Sequence, residues 1–132
     1  MSLTGQISPG LTGTAQAEVN EGNTAIAYGS GDINVFATPA MIGLMEKAAL
    51  SSVDPLLPRG YTTVGIKVEV EHIAATPVGG RVRAQSRLLE VDGRRLLFEV
   101  EAYDEMELVG RGTHQRFIVR ADSFLQRVAA KK

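Results

Sequence analysis

The sequence predicts an α+β fold: a long helix wrapped by a curved antiparallel sheet of about five strands. Three observations carry that expectation. One stretch near the middle of the chain is strongly helical; four consecutive strand-like segments follow it, joined by hairpin-sized turns; and 132 residues, 44% of them hydrophobic, suffice for a single core. A helix with an apolar stripe must bury it, and a sheet curled round the helix provides the surface. The whole chain, residues 1–132, reads as one domain, with residues 1–34 as its least regular part.

The elements follow in order. Residues 11–19 (LTGTAQAEV) read as a first strand. Residues 20–32, with Gly22, Gly29 and Gly31, read as loop. At Thr38 the pattern turns helical: Met41, Leu44, Met45, Ala48 and Ala49 recur at helical spacing, and Thr38-Pro39 fits an N-cap followed by proline. Pro55 and Pro58 end the helix. Over 62–75 the period drops to two, with Val64, Ile66, Val68, Val70 and His72 on one face and Lys67, Glu69 and Glu71 on the other. Pro77, Gly79 and Gly80 form the next turn. Residues 81–91 and 94–103 are two strands around Asp92-Gly93, a pair that favours a type I′ hairpin. A further strand fits 108–120, and 121–132 an amphipathic helix. Arg81, Arg83, Arg87, Glu99 and Glu101 mark a sheet face turned to water.

Composition removes several functional classes. There are 14 Lys+Arg against 15 Asp+Glu, which argues against nucleic acid or an anionic membrane as the main partner. Without cysteine there is no disulfide framework, thiol nucleophile or cysteine metal site. No apolar run approaches a membrane span, and the N-terminal residues lack the features of a signal peptide, so a cytoplasmic protein is expected. The first 46 residues carry four acidic groups and no basic one, so the positive charge lies in the later strands. It is either an Arg-rich solvent face or a basic rim for a phosphorylated ligand.

Four residues are candidates for chemistry. Glu46 lies eight positions after Thr38, two helical turns on and about 80° round the axis, among apolar neighbours. It sits either at the edge of the buried stripe or inside for a reason. Thr38 is accounted for as a helix cap. His72 shares the strand face that meets the helix, so it is either a satisfied core histidine or half of an acid–base pair with Glu46. His114, on a glycine-rich strand, reads as structural. Two histidines without a paired-histidine helix motif make a metal site unexpected. Phosphate-loop and dinucleotide signatures fail at Gly29-Ser30-Gly31 and Gly110-Arg111-Gly112.

From Val35 onward the sequence resembles the hot-dog-fold acyl-CoA thioesterases, most closely the fluoroacetyl-CoA thioesterase-like family. The stretches that carry the resemblance are VFATPAMIGLMEKAA, VGIKVEVEHIAATPVGGRVRAQSRLLEVDGRRLLFEVEAYD and VGRGTHQRFIV. The resemblance implies a hot-dog fold, a homodimer with active sites at its interface, and hydrolysis of an acyl-CoA thioester with CoA present only as part of the substrate. It places the family's catalytic residues on Thr38, Glu46 and His72. It places substrate contacts on Gly65 and Arg116, with Phe36 beside the helix start. The family's phenylalanine lid aligns with Gly29-Ser30-Gly31-Asp32, so no strong preference for fluoroacetyl over acetyl groups is expected. The alternatives are a non-catalytic acyl-CoA-binding dimer and an enoyl-CoA hydratase, whose Asp–His segment is absent here.

Overall fold

The computed structural model describes residues 3–132; residues 1 and 2 of the N-terminal stretch lie outside the described residues. Strand β1 (Thr12–Glu18) is followed by a single helical turn, α1 (Ala25–Tyr28), and the long helix α2 (Thr38–Val53), which runs into a 3-10 turn at Asp54–Leu56. Strands β2 (Tyr61–His72), β3 (Arg81–Asp92), β4 (Arg95–Tyr103) and β5 (Leu108–Arg120) come next, and α3 (Ala121–Ala129) closes the chain. The five strands form one sheet in the order β1-β3-β4-β5-β2, with every pairing antiparallel. β1 and β2 are therefore its edges.

The helix lies against the inner face of the sheet. Met41, Leu44, Met45, Ala48, Ala49 and Val53 are its buried residues, and all but Val53 are the positions the helical spacing singles out. They pack against Val82, Ala84 and Leu88 of β3 and Leu96, Phe98, Val100 and Ala102 of β4, each of these fully buried. Each large side chain so buried contributes roughly 1.5–3 kcal/mol. β1 approaches α2 so closely that a Cβ on Gly13 would collide with the Ala48 carbonyl and lie 2.8 Å from Ser51 Oγ. On the outer face Arg87 pairs with Glu99 at 3.1 Å and Arg111 with Glu71 at 3.7 Å, as befits a solvent face. Among the described residues, no helix is long and apolar enough to cross a membrane.

Four local expectations are corrected. Within the expected loop over 20–32, Thr24 caps α1 by accepting from Ala27 N, and Gly29 ends it at φ +71°. Thr38 is the first helical residue rather than the cap: Ala37 holds the cap position, without a side-chain bond. The hairpin turn is Gly93-Arg94, one residue later than expected, because Asp92 stays in the ladder opposite Arg95 and pairs with it at 2.8 Å. Gly93 alone has positive φ (+60°), the sign pattern of a type II′ turn.

The fourth correction bears on function. β2 does not alternate evenly, because its pairing with β5 shifts between Gly65 and Lys67. Such a bulge inserts one residue and resets which side chains face inward. Thr63 and Gly65 before it face the helix side, and Val68, Val70 and His72 do so after it. Val64 therefore does not share their face. Ile66, the extra residue, is 51% exposed. The strand also ends at His72, not at residue 75. Ile73 and Ala74 instead donate their amides to the Val109 carbonyl, at 2.7 and 3.3 Å.

Candidate active site

The candidate residues gather in two places, one at each end of β2. At its C-terminal end, Thr38 Oγ1 and His72 Nδ1 lie 2.7 Å apart, joining the first residue of α2 to the last of β2. The other ring nitrogen, His72 Nε2, is buried and has no hydrogen-bond partner among the described residues. Burial lowers the His72 pKa below the usual histidine value, opposed in part by the Ala74 backbone. Beside the pair is a cavity of about 370 Å³, walled by Ala25 of α1 and by Ser30, Val35, Phe36, Thr38 and His72. Pro39 has no N–H, so Thr38 and Ala40 supply the free amides at the positive end of the helix.

At the other end stand Glu46, Gly65 and Arg116. The Glu46 carboxylate is 40% exposed, and its nearest cation is Arg116 Nη1, at 3.9 Å from Oε2. No side-chain hydrogen bond to it is present among the described residues. Gly65 makes room for it: a Cβ there would lie 2.7 Å from Glu46 Oε2, 3.1 Å from His114 Cε1 and 3.5 Å from Arg116 Nη1. Arg116 is 5% exposed. Its Nε donates to Thr63 Oγ1 at 2.8 Å and its Nη2 to the Thr63 carbonyl at 2.9 Å. Thr63 Oγ1 in turn donates to Asp54 Oδ1 at 2.6 Å. Asp54, just past the helix, thus anchors the arginine through one threonine. Burial lowers the Arg116 pKa, with the charges of Asp54 and Glu46 opposing it.

Within one chain these halves remain apart. Thr38 and Glu46 share a helix but are eight residues, about 12 Å, apart along its axis. The Glu46–His72 pair expected from facing alone is therefore not formed inside a protomer. His114, read as structural, is 1% exposed and sits at the Glu46 end, with Nδ1 2.8 Å from the Lys67 carbonyl and Nε2 3.2 Å from Arg116 Nη1. Thr63 and Asp54 had no place among the candidates. The alternation of Gly112, His114 and Arg116 on one strand was the available signal for the first of these three; the other two are joined only by the fold. A larger depression, about 550 Å³, lies over the outer face among Glu69, Glu71, Glu99, Glu101 and Arg111. None of the candidate residues lines it, so it is not the site.

A long helix held in a curled five-stranded antiparallel sheet is the architecture of a hot-dog fold. Comparison with known proteins agrees. Residues 19–122 match the family of fluoroacetyl-CoA-specific thioesterases, and the chain belongs to that family and is an acyl-CoA thioesterase by membership. It is 40% identical over 97 residues to the fluoroacetyl-CoA thioesterase of Streptantibioticus cattleyicolor, covering 74% of this chain and 70% of that one. The solved structure of the fluoroacetyl-CoA thioesterase FlK superposes with a TM-score of 0.89 at 33% identity, over 96% of this chain and 98% of that one. A thioesterase-superfamily protein of Thermus thermophilus superposes at 0.85 with 28% identity, over 95% of each chain. A hot-dog-like protein of Thermanaerovibrio acidaminovorans, at 0.89 and 24% identity over 99% and 97%, shares the fold.

Proposed function

We propose that this chain hydrolyses acyl-CoA thioesters with Glu46, Thr38 and His72, in a site completed by a second copy across β2. The observation that carries the reading is the Glu46 carboxylate: beside a buried arginine, against a glycine that makes room for it, with its lone pairs uncommitted. Direct attack on the thioester carbonyl, giving a mixed anhydride, needs such a lone pair. So does proton abstraction from an attacking water. Both routes pass through an oxyanion, for which the amides at the start of α2 are donors. The departing thiolate takes a proton, and His72, in contact with Thr38, is the group placed to manage it. Phe36 and the lid residues wall the acyl cavity, while Gly65 and Arg116 flank the carbonyl.

The second copy follows from β2. Its outer edge is unpaired, and Ile66 and Val68 on it are 51% and 37% exposed. Pairing with an identical strand removes this edge. An antiparallel twofold pairing about the strand's middle brings the Gly65 end of one copy to the His72 end of the other. Glu46 of one protomer then meets Thr38 and His72 of its partner. With the axis at Val68, Lys67 of one copy faces Glu69 of the other, an attractive arrangement.

A thiol-release assay over short and medium acyl-CoAs tests the reading. Wild type is expected to turn over at least one of them, and Glu46→Gln to lose at least about 100-fold in rate while folding normally. An unchanged rate in Glu46→Gln would overturn the assignment. Binding of acyl-CoA by wild type without turnover would favour a non-catalytic binding dimer.

A further inference from the structure

The two hydrogen bonds of His114 fix its protonation state. The Lys67 carbonyl can only accept, so Nδ1 carries the proton and donates at 2.8 Å. The Arg116 guanidinium can only donate, so Nε2 is bare and accepts from Nη1 at 3.2 Å. His114 is thus a neutral imidazole in a single tautomer, stacked on Phe98 of β4 with centroids 6.3 Å apart. Around it, β5 contributes the charge of Arg116 and α2 that of Glu46, while β2 contributes only backbone at Gly65 and Lys67. The Lys67 ammonium turns away to Glu69, at 2.7 Å. Burial, the largest influence, and the Arg116 charge hold the ring neutral, against the Lys67 carbonyl and Glu46.

We propose that His114 is a positioning residue of the hydrolytic site: its bare Nε2 holds Arg116 Nη1 back from Glu46, and its Nδ1–H, given to the Lys67 carbonyl, fixes the tautomer that leaves Nε2 bare. The inference rests on Glu46 being the reacting group. Thr63 anchors two corners of the guanidinium, through Nε and Nη2, and leaves Nη1 to choose between two acceptors. At 3.2 Å it is bonded to the imidazole; at 3.9 Å it is near Glu46 but beyond hydrogen-bond distance. The carboxylate therefore feels a neighbouring cation without giving up a lone pair to it. Without the imidazole acceptor, Nη1 closes on Glu46 as a direct ion pair, which commits a lone pair of Oε2 and weakens the carboxylate as nucleophile or base.

Two variants separate the functions of the two nitrogens. His114→Gln presents a carbonyl near the Nε2 position and preserves an acceptor for Arg116. His114→Asn places its amide near Nδ1, keeping a donor for Lys67 and losing that acceptor. With the acyl-CoA that wild type hydrolyses best, kcat is expected to fall at least about tenfold in His114→Asn and under about threefold in His114→Gln, with KM unchanged in both. In the Glu46→Gln background, His114→Asn should cause no further loss. Nitrogen-15 NMR of the wild-type protein at pH 7 should show His114 with Nδ1 protonated and Nε2 bare, its signals identified by their absence from His114→Gln. An Nε2-protonated or doubly protonated ring, equal losses in the two variants, or an unaffected His114→Asn would overturn the proposal. If instead Glu46→Gln is as active as wild type, the assignment of Glu46 itself has failed.

Discussion

Glu46 is polar in an apolar helix face, and Gly65 is what allows it. Any side chain at 65 occupies the carboxylate's space, since even a Cβ would lie 2.7 Å from Oε2. Gly65→Ala is therefore expected to keep the fold, displace Glu46 and lower kcat/KM by at least about tenfold, measured by thiol release. The two histidines set a pH dependence of stability. Both His72 and His114 have pKa values lowered from the usual 6.5, with burial the largest cause. In the unfolded chain they take up protons near that value, while the folded state resists. Their contribution is full above about pH 6.5 and is lost as pH falls from there through the lowered folded values. Urea midpoints should fall between pH 7.5 and 5, and less steeply in His114→Gln. A slope unchanged by that substitution would remove His114 from the explanation.

At the scale of elements, β2 does the most with a single irregularity. The bulge at Ile66 puts Thr63 and Gly65, at the Glu46 end, and His72, at the Thr38 end, all on the inner face. An uninterrupted strand would turn one set outward. β3 shows the opposite case, an inner residue that earns nothing from its polarity. Ser86 Oγ is buried without a hydrogen-bond partner among the described residues. An unsatisfied buried hydroxyl is a cost of about 1–3 kcal/mol, so Ser86→Ala is expected to leave the thermal midpoint unchanged or raise it. A drop of several degrees would mean the hydroxyl has a partner in solution. The start of α2 illustrates economy of another kind: with Ala37 at the cap position, the Thr38 hydroxyl is released to His72.

For the whole molecule, the distance between Glu46 and the Thr38–His72 pair means that the proposed function makes assembly and activity one question. Light scattering at micromolar protein is expected to give about 28 kDa, twice the 14.1 kDa chain. Val68→Asp, which puts a charge on the unpaired strand, should give monomer and abolish turnover together. A fully active monomer would show that one chain holds a complete site. Acyl selectivity belongs to this scale too, because the cavity beside Thr38 is walled partly by residues 25–30, distant in sequence from β2. Tyr28 there is 51% exposed, while Ala25 and Ser30 line the cavity. The ratio of kcat/KM for fluoroacetyl-CoA over acetyl-CoA is therefore expected to stay below roughly 10⁴, about 5 kcal/mol of discrimination. A larger ratio would require another wall to replace the missing aromatics.

The apolar stripe of α2, the antiparallel run of strands and the oddity of Glu46 and His72 among apolar neighbours were legible from sequence, because periodicity and residue type are local properties. Resemblance to a family gave the site reading that joins them to Thr38, Gly65 and Arg116. The inner face of β2 was legible from Val68 to His72 but not before the bulge, since one inserted residue inverts a two-residue alternation and leaves no mark in composition. The hairpin turn moved by one residue for a related reason: the Asp92–Arg95 pairing across the strands outweighed the local preference of Asp-Gly. The Asp54–Thr63–Arg116–His114 network was hidden altogether. Its members come from the end of a helix and from two strands 53 residues apart at Thr63 and Arg116, and only the antiparallel pairing of β2 with β5 makes them neighbours. Sequence determined which groups are available for chemistry; tertiary structure decided which of them touch, because contact between distant segments is set by register and packing, not by the residues beside them in the chain.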